Sequence, residues 1–316
     1  MSKIACIFPG QGAQYPGMGK DLAENYIEAM RIFDLASERL GIDMRELCFE
    51  GNEEELKKTE NTQPSILTAS IAMLEVLKLR GIEPEVTAGL SLGEYSALVA
   101  SRAISFVDAV ALVKKRGKYM QEAIPAGEGT MAAIMGMGRE SVMECLKMAR
   151  DYGVVEAANY NCPGQIVIAG HTKAVERACA LMKEKGAKRA IMLPVSAPFH
   201  SSLLKPAGEK LAVELEKVDI SDNEMPVVSN VNAQVIVDKY QIKKCLVEQV
   251  SNSVLWEDSI KNMTEMGVDT FVEVGPGKTL SAFVKKIDKS LYVYNVEDME
   301  SLENTIVSIR ERLECN

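Results

Sequence analysis

The segment VTAGLSLGEYSALVAS, residues 86–101, decides the fold class of this chain. Its first three residues form a short apolar run that predicts a buried strand, and residues 94–101 favour a helix. Between them, GLSLG at 89–93 is a G-x-S-x-G motif, whose glycines permit a strained turn that exposes the hydroxyl of Ser91. The segment therefore predicts an α/β protein with a nucleophilic serine on an elbow, although five residues alone also fit an ordinary turn.

Strands and helices alternate on both sides of this segment. Further strands are predicted at 4–8, 227–229, 270–274 and 291–294. Helices are predicted at about 22–33, 64–80, 105–120 and 202–217, from about 242 and 278 onward, and as a final helix after the strand at 291–294. Pro64 is expected to begin the second of these helices, and Ser105 with Asp108 to cap the third. This alternation indicates a largely parallel sheet.

Residues 127–196 follow a different order. Strands are predicted at 130–135, 154–157, 165–168 and 189–193, with helices at 140–150 and 173–185. The order βαββαβ is the ferredoxin-like pattern, and proline and glycine stand at both ends of the region. We therefore expect a large α/β domain made of residues 1–126 and 197–316, with a smaller ferredoxin-like domain of residues 127–196 inserted into it.

Composition and charge exclude several classes of protein. The chain has 316 residues, with 36 basic and 45 acidic side chains, for a formal charge of −9. This acidic excess argues against a general binder of nucleic acid or of anionic membranes. The longest apolar stretch, residues 66–77, is too short for a membrane helix. The seven cysteines include no C-x-x-C pair, so we expect reduced thiols, no zinc site and a cytoplasmic protein.

A serine nucleophile needs a base, and the chain has two histidines. His171 stands at the start of a predicted helix, which favours a structural role. His200 follows Pro198 and Phe199, where the chain returns from the inserted region to the main domain. Because active sites lie in clefts between domains, position and elimination make His200 the candidate base, although a structural role stays open.

Two further polar residues and two glycine-rich turns need a role. Position alone favours a solvated charge for Arg116, which lies among lysines on its helix. Gln249 lies on an apolar helix face, where its amide either braces the core or orients a catalytic group. The turns at 275–279 and 10–12 both lack a glycine that nucleotide-binding motifs require. The first-strand turn can instead bring a backbone N–H close to an oxyanion.

Seven motifs together resemble one family over essentially the whole chain. They are FPGQGAQ at 8–14, TQP at 62–64, GLSLGEY at 89–95, RG at 116–117, NCPGQ at 161–165, PFH at 198–200 and EVGPG at 273–277. In this order the chain resembles the malonyl-CoA:acyl-carrier-protein transacylases of fatty-acid synthesis. The resemblance implies a hydrolase-like α/β core domain with a parallel sheet and an inserted ferredoxin-like domain.

The resemblance also implies a role for each site residue. Ser91 would be the acylated nucleophile and His200 the acid/base, while the backbone N–H groups of Gln11 and Leu92 would form the oxyanion hole. Arg116 would bind the malonyl carboxylate, and a Gln249 carbonyl would orient the imidazole of His200. Three further residues are implied to contact the substrate: Gln63, Phe199 and Asn161. Leu90 and Ser253 depart from the family, which often has histidine and proline at these positions.

The implied reaction transfers malonyl from malonyl-CoA to the phosphopantetheine thiol of acyl carrier protein through a malonyl-serine. It needs no bound cofactor, and CoA thioester and phosphopantetheine are substrates. The acidic carrier would dock transiently on a basic patch, either Lys114, Lys115 and Lys118 or Lys183, Lys185, Lys188 and Arg189. Two alternatives stay open: a serine esterase or thioesterase, and a carrier-docking subunit without catalysis.

Overall fold

The computed structural model describes residues 2–125, 127–195 and 197–314. Its strands are β1 (Lys3–Phe8), β2 (Val86–Gly89), β3 (Gly129–Met135), β4 (Val155–Cys162), β5 (Gln165–His171), β6 (Arg189–Met192), β7 (Val227–Val228), β8 (Val268–Val274) and β9 (Tyr292–Val296). Its α-helices are α1 (Lys20–Asn25), α2 (Ile27–Leu40), α3 (Glu53–Lys57), α4 (Thr59–Leu79), α5 (Gly93–Ala100), α6 (Phe106–Glu122), α7 (Arg139–Ala149), α8 (Thr172–Glu184), α9 (Lys205–Leu215), α10 (Lys239–Gln249), α11 (Trp256–Glu265), α12 (Thr279–Ile287) and α13 (Met299–Glu314).

A parallel sheet carries the serine elbow. Within the described residues its strand order is β7-β2-β1-β8-β9, and every neighbouring pair is parallel. The central strand β1 is buried from Ile4 to Phe8, which is typical of a parallel sheet covered by helices on both faces. Ser91 follows β2 at the carboxyl edge, where ligands bind in such sheets.

A second, antiparallel sheet forms from the inserted region. Across the described residues its order is β4-β5-β3-β6, with α7 and α8 packed on one face, which is the ferredoxin-like arrangement. Alternate residues of β3 face opposite ways: Ala132 and Ile134 join the core with α7 and α8, whereas Met131 and Ala133 join the core of the main domain. The predicted fold class is confirmed. Residues 126 and 196, the predicted domain boundaries, lie outside the described residues.

Several predicted elements differ from those observed. Helix α4 begins at Thr59, so the predicted start at Pro64 is wrong; the Thr62 N–H bonds to the Lys58 carbonyl, and the first turn forms before the proline. The helix predicted at 22–33 is two helices, divided at Tyr26, whose backbone is extended. Helices α3 and α11 were not predicted, although Trp256, Ile260 and Met263 have the spacing of one buried helix face.

Helix α6 brings Arg116 toward the elbow. Its predicted cap is confirmed, since the Ser105 side chain accepts the Asp108 N–H at 3.1 Å. Helix α6 packs closely on the first turn of α4 at Gly117, where a Cβ would lie 2.5 Å from the Thr59 carbonyl oxygen. Only glycine permits this approach. Of the helices in the described part of the chain, none has the length and apolar character to cross a bilayer.

We expect Gly117→Ala to lower the free energy of unfolding by about 2 kcal/mol, because the new methyl group collides with backbone that cannot rotate away. This loss exceeds the gain of about 1 kcal/mol in helix propensity. Urea denaturation followed by circular dichroism measures it. Gly138→Ala is the matched control, since a Cβ there meets nothing within 4 Å and should change stability by less than about 1 kcal/mol. Equal effects at the two glycines would contradict the packing argument.

Candidate active site

The elbow is a crossing of three backbone segments. A Cβ at Gly89 would lie 1.9 Å from the carbonyl carbon of Gly93, and a Cβ at Gly93 would lie 2.1 Å from the Phe8 carbonyl oxygen. There is therefore no room for a side chain at either motif glycine. Ser91 itself has a φ of 54°, a left-handed conformation that is strained for a residue with a side chain. The turn holds the serine between β2 and α5.

Asn230 holds both sides of this strained turn. Its Oδ1 accepts the Ser91 N–H at 2.6 Å, and its Nδ2 donates to the Gly89 carbonyl at 2.7 Å. Asn230 was not predicted. It follows β7, the strand beside β2, and the carboxyl ends of neighbouring parallel strands meet at one edge. The position of Asn230 directly after a predicted strand was the sequence signal that could have indicated its place near Ser91.

The structure brings His200 to Ser91. Its Nε2 lies 2.7 Å from Ser91 Oγ, and its Nδ1 lies 2.8 Å from the backbone carbonyl of Gln249. Because that carbonyl only accepts, Nδ1 carries the proton and Nε2 is left to accept the serine hydroxyl. Burial of His200, together with the nearby charge of Arg116, lowers the pKa of the imidazole to about 4. The imidazole is therefore neutral at pH 7.

Arg116 is 1% exposed, so the solvated position that its neighbours favoured is wrong. Its Nη1 donates to Gln63 Oε1 at 2.9 Å, and its Nη2 donates to Gln249 Oε1 at 2.9 Å and to Ser91 Oγ at 3.2 Å. The guanidinium also lies 5.4 Å from the centre of the Tyr95 ring. Packing of α6 against α4, together with the hydrogen bond to Gln249 at the end of α10, places this cation inside the site.

Gln249 serves through both its backbone and its side chain. While the backbone carbonyl orients His200, the side-chain Nε2 donates to the Ser91 carbonyl and to Glu94 Oε2, each at 3.0 Å. Glu94 Oε2 also accepts the Asn230 N–H at 2.8 Å. Burial raises the pKa of the Glu94 carboxyl to about 7, against the lowering effects of these donors and of Arg116. Glu94 is a further site residue that sequence reasoning missed.

The residues meet at a cavity of about 290 Å³ between the two sheets. Predicted site residues that line it are Gln11, Gln63, Ser91, Leu92, Arg116, Asn161, Phe199 and His200. Gln249 is fully buried behind Arg116 and His200. Apolar walls that were not predicted come from both domains: Met131, Val167, Val195, Leu280 and Phe283. Among the described residues, Asn161 Oδ1 is buried without a hydrogen-bond partner, so it can accept a donor from a bound molecule.

Gln11 and Leu92, whose backbone N–H groups were predicted to form an oxyanion hole, line the cavity from different loops. Gln11 lies in the turn after β1, and Leu92 precedes the first residue of α5. A Cβ on Gly10 would lie 2.5 Å from the Leu90 carbonyl oxygen, which shows how closely the two loops approach. In the hydrogen bonds of the described chain, neither N–H has a protein acceptor. Both N–H groups therefore remain available to a bound molecule.

The remaining sequence predictions concern histidine and cysteine. His171 has the predicted structural role, since its Nδ1 accepts the Val154 N–H at 3.0 Å at the start of α8. The six described cysteines are buried and free, and Cys315 lies outside the described residues. The described part of the chain contains no cluster of three or more histidine, cysteine, aspartate or glutamate side chains that could hold a metal ion.

A strained serine, a neutral imidazole and two free amides around one cavity define the site of a serine acyltransferase or hydrolase. The model of the acyl transferase domain family matches residues 5–310. The chain is 53% identical to malonyl CoA-acyl carrier protein transacylase of Bacillus subtilis, over 98% of each chain. It is 48% identical to the Escherichia coli protein of that name, over 92% of this chain and 94% of the other.

Solved structures agree with the sequence comparison. The crystal structure of malonyl CoA-acyl carrier protein transacylase from Clostridium perfringens has a TM-score of 0.97 and 51% identity, and the match covers all of both chains. A malonyl-transacylase in complex with its type II PKS acyl-carrier protein has a TM-score of 0.95 and 43% identity, over 97% of this chain and 100% of the other. The chain therefore belongs to the acyl transferase family, among the malonyl CoA-acyl carrier protein transacylases, and the predicted resemblance is confirmed.

We expect the His200 imidazole to titrate near pH 4 in the folded protein, because burial and Arg116 disfavour its charged form. With only two histidines in the chain, proton NMR of the ring C–H signals measures the midpoint, and His171→Gln assigns them. A midpoint near the ordinary 6.5 would contradict the expectation. Between pH 6.5 and 4 the unfolded chain binds this proton and the folded chain does not, so the contribution of His200 to stability falls as pH falls through that window.

Proposed function

We propose that this chain transfers the malonyl group of malonyl-CoA to the phosphopantetheine thiol of an acyl carrier protein. The observation that carries the proposal is the buried guanidinium of Arg116, 3.2 Å from the serine nucleophile. A buried charge favours a ligand of opposite charge, and an arginine fork suits a carboxylate. A malonyl thioester has its carboxylate two bonds from the reacting carbonyl. The names of the relatives support the same substrate.

In the first half-reaction, Ser91 Oγ attacks the thioester carbonyl while His200 Nε2 takes the hydroxyl proton. The tetrahedral oxyanion is held by the N–H groups of Gln11 and Leu92, each worth about 10²–10³ in rate. As the carbon–sulfur bond breaks, His200 returns the proton to the sulfur and CoA leaves as the free thiol. The Gln249 carbonyl stabilises the imidazolium that forms between these steps.

In the second half-reaction the carrier thiol repeats the attack on malonyl-Ser91. His200 removes the thiol proton, the new carbon–sulfur bond forms, and the serine oxygen leaves with that proton. This sequence gives ping-pong kinetics. CoA and phosphopantetheine act as substrates, and the proposal includes no resident cofactor.

The walls of the cavity select the acyl group. Arg116 is held by Gln63 and Gln249 in the orientation that meets the carboxylate, and Phe199 crowds acyl groups with a substituent on the α-carbon. Asn161 offers an unpaired acceptor to the substrate. An esterase commonly orients its histidine with a carboxylate, whereas a neutral backbone carbonyl orients His200. This difference favours an acyltransferase over an esterase.

The acidic carrier is proposed to dock transiently on the inserted domain, which we take as residues 127–196. Of the two basic patches predicted, the one on α6 is largely paired, since Lys115 bonds to Glu214 at 2.6 Å and Lys118 lies 3.9 Å from Glu122. We define the insert patch as Lys183, Lys185, Lys188 and Arg189; of these, within the described part of the chain, only Lys185 has an ion pair. We place the reaction in the cytoplasm, where the buried free thiols stay reduced.

Malonyl-CoA without carrier should add one malonyl group to Ser91, detected by intact-mass spectrometry, and carrier should then remove it. Ser91→Ala should abolish the adduct and lower transfer by about 10⁴–10⁶-fold. The matched control is Ser96→Ala, a buried serine on α5. Release of free malonate faster than transfer to carrier would identify a hydrolase instead, and no adduct at all would leave only a docking role.

Reversing charge on the insert patch should weaken carrier docking. We expect Lys183→Glu with Arg189→Glu to raise the KM for carrier by about tenfold, because the patch attracts an acidic partner, and to leave the KM for malonyl-CoA unchanged. Steady-state kinetics at low ionic strength measures both constants. Lys118→Glu, on the alternative patch, is the control. An equal change in both constants, or an effect of the control alone, would reject the insert patch.

A further inference from the structure

Arg116 touches the nucleophile as well as the place proposed for the carboxylate. Ser91 Oγ donates its proton to His200 Nε2 at 2.7 Å and accepts an N–H from Arg116 Nη2 at 3.2 Å. One lone pair of the attacking oxygen therefore accepts a hydrogen bond from a cation. Selection of a carboxylate does not by itself require this contact.

The guanidinium has only neutral acceptors around it. Its two side-chain partners besides Ser91 are the amide oxygens of Gln63 and Gln249. Among the described residues no carboxylate pairs directly with Arg116; the carboxyl of Glu94 bonds to the far end of the Gln249 amide and acts on the guanidinium only through space. A carboxylate is a stronger acceptor for a guanidinium than a hydroxyl is. An arriving carboxylate will therefore take the N–H that Ser91 Oγ accepts.

Resting on the proposed function, we propose that Arg116 restrains Ser91 in the resting enzyme and that the carboxylate of the substrate releases this restraint. The restrained oxygen attacks more slowly, because the charge-assisted hydrogen bond must be given up as Oγ becomes an ester oxygen. The carboxylate also offsets the positive charge beside His200. Since that charge helps to lower the pKa of the imidazole, its neutralisation makes His200 a better acceptor for the serine proton.

Discrimination against acyl groups then acts on rate as well as on binding. An acetyl thioester enters without a carboxylate and leaves the Nη2–H on Ser91 Oγ. The bond at 3.2 Å is a long one, so its release should change the rate of acylation by about tenfold, at the lower end for bonds to charged groups. The carboxylate of malonyl is in this sense an activator of its own transfer.

The decisive experiment supplies the carboxylate separately from the acyl group. Wild-type enzyme is mixed with acetyl-CoA and increasing formate, with chloride replacing formate at constant ionic strength, and acetyl-Ser91 is followed by rapid quench and intact mass. We expect formate to accelerate acetylation about tenfold with saturation. Over the same concentrations formate should inhibit acylation by malonyl-CoA, because both occupy the site beside Arg116. Absence of acceleration or absence of competition overturns the proposal.

An Arg116→Met variant tests the restraint from the other side. It should form acetyl-Ser91 about tenfold faster than wild type, form malonyl-Ser91 more slowly, and lose its response to formate. Lys118→Met, on the exposed side of the same helix, is the control and should match wild type. Slower acetylation by a folded Arg116→Met protein would overturn the restraint. If wild-type enzyme forms malonyl-Ser91 normally but shows no formate effect, the restraint is rejected and the proposed function stands. If wild-type enzyme neither forms malonyl-Ser91 nor responds to formate, the proposed function is rejected as well.

Discussion

The crossing of the elbow backbone with the end of strand β1 is the constraint on which the site depends. Gly93 lies against the Phe8 carbonyl so closely that no side chain fits, and this contact fixes the position of Ser91 beside the turn that contains Gln11. The strained φ of Ser91 costs about 1–3 kcal/mol, which the surrounding structure must offset. The two hydrogen bonds of Asn230 supply part of that support. The nucleophile is thus placed by rigid backbone.

The electrostatics of the cavity follow from burying a cation beside a neutral base. Hydrogen bonds to two amide oxygens and the contact with the Tyr95 ring offset the cost of burying the Arg116 guanidinium. The positive charge of Arg116 in turn disfavours protonation of His200. The site therefore places a guanidinium whose hydrogen-bond acceptors are all neutral beside a neutral base, with the charge of Glu94 acting on that guanidinium only through space. Such a site is preorganised for an anion, since the binding of a negative charge improves both the pairing of the arginine and the basicity of the imidazole.

Local patterns predicted most of the fold, because the period of apolar residues and the turn motifs depend on neighbours in sequence. The elbow and the βαββαβ insert are of this kind. The prediction of a solvated Arg116 from its position on α6 was wrong. Burial of Arg116 depends on partners from α4 and α10, and the sequence of α6 does not encode where those helices lie. Glu94 and Asn230 were missed for the same reason: the Glu94 carboxyl bonds to Gln249, 155 residues away, and Asn230 bonds to Ser91 across 139 residues. Only the resemblance to a family supplied a role for Arg116.

The inserted domain joins the surface proposed for the carrier to the cavity along one strand. Arg189 and the exposed side chains of Ile191 and Met192 lie on β6, and Leu193 and Val195, directly after it, line the cavity. Four residues of extended chain span about 13 Å from Arg189 to Leu193. A carrier held at the start of β6 therefore presents its flexible arm near the mouth of the cavity. Under the proposed function, the surface that recognises the carrier by charge and the residues that recognise the acyl carboxylate are therefore separate, so each can vary without disturbing the other.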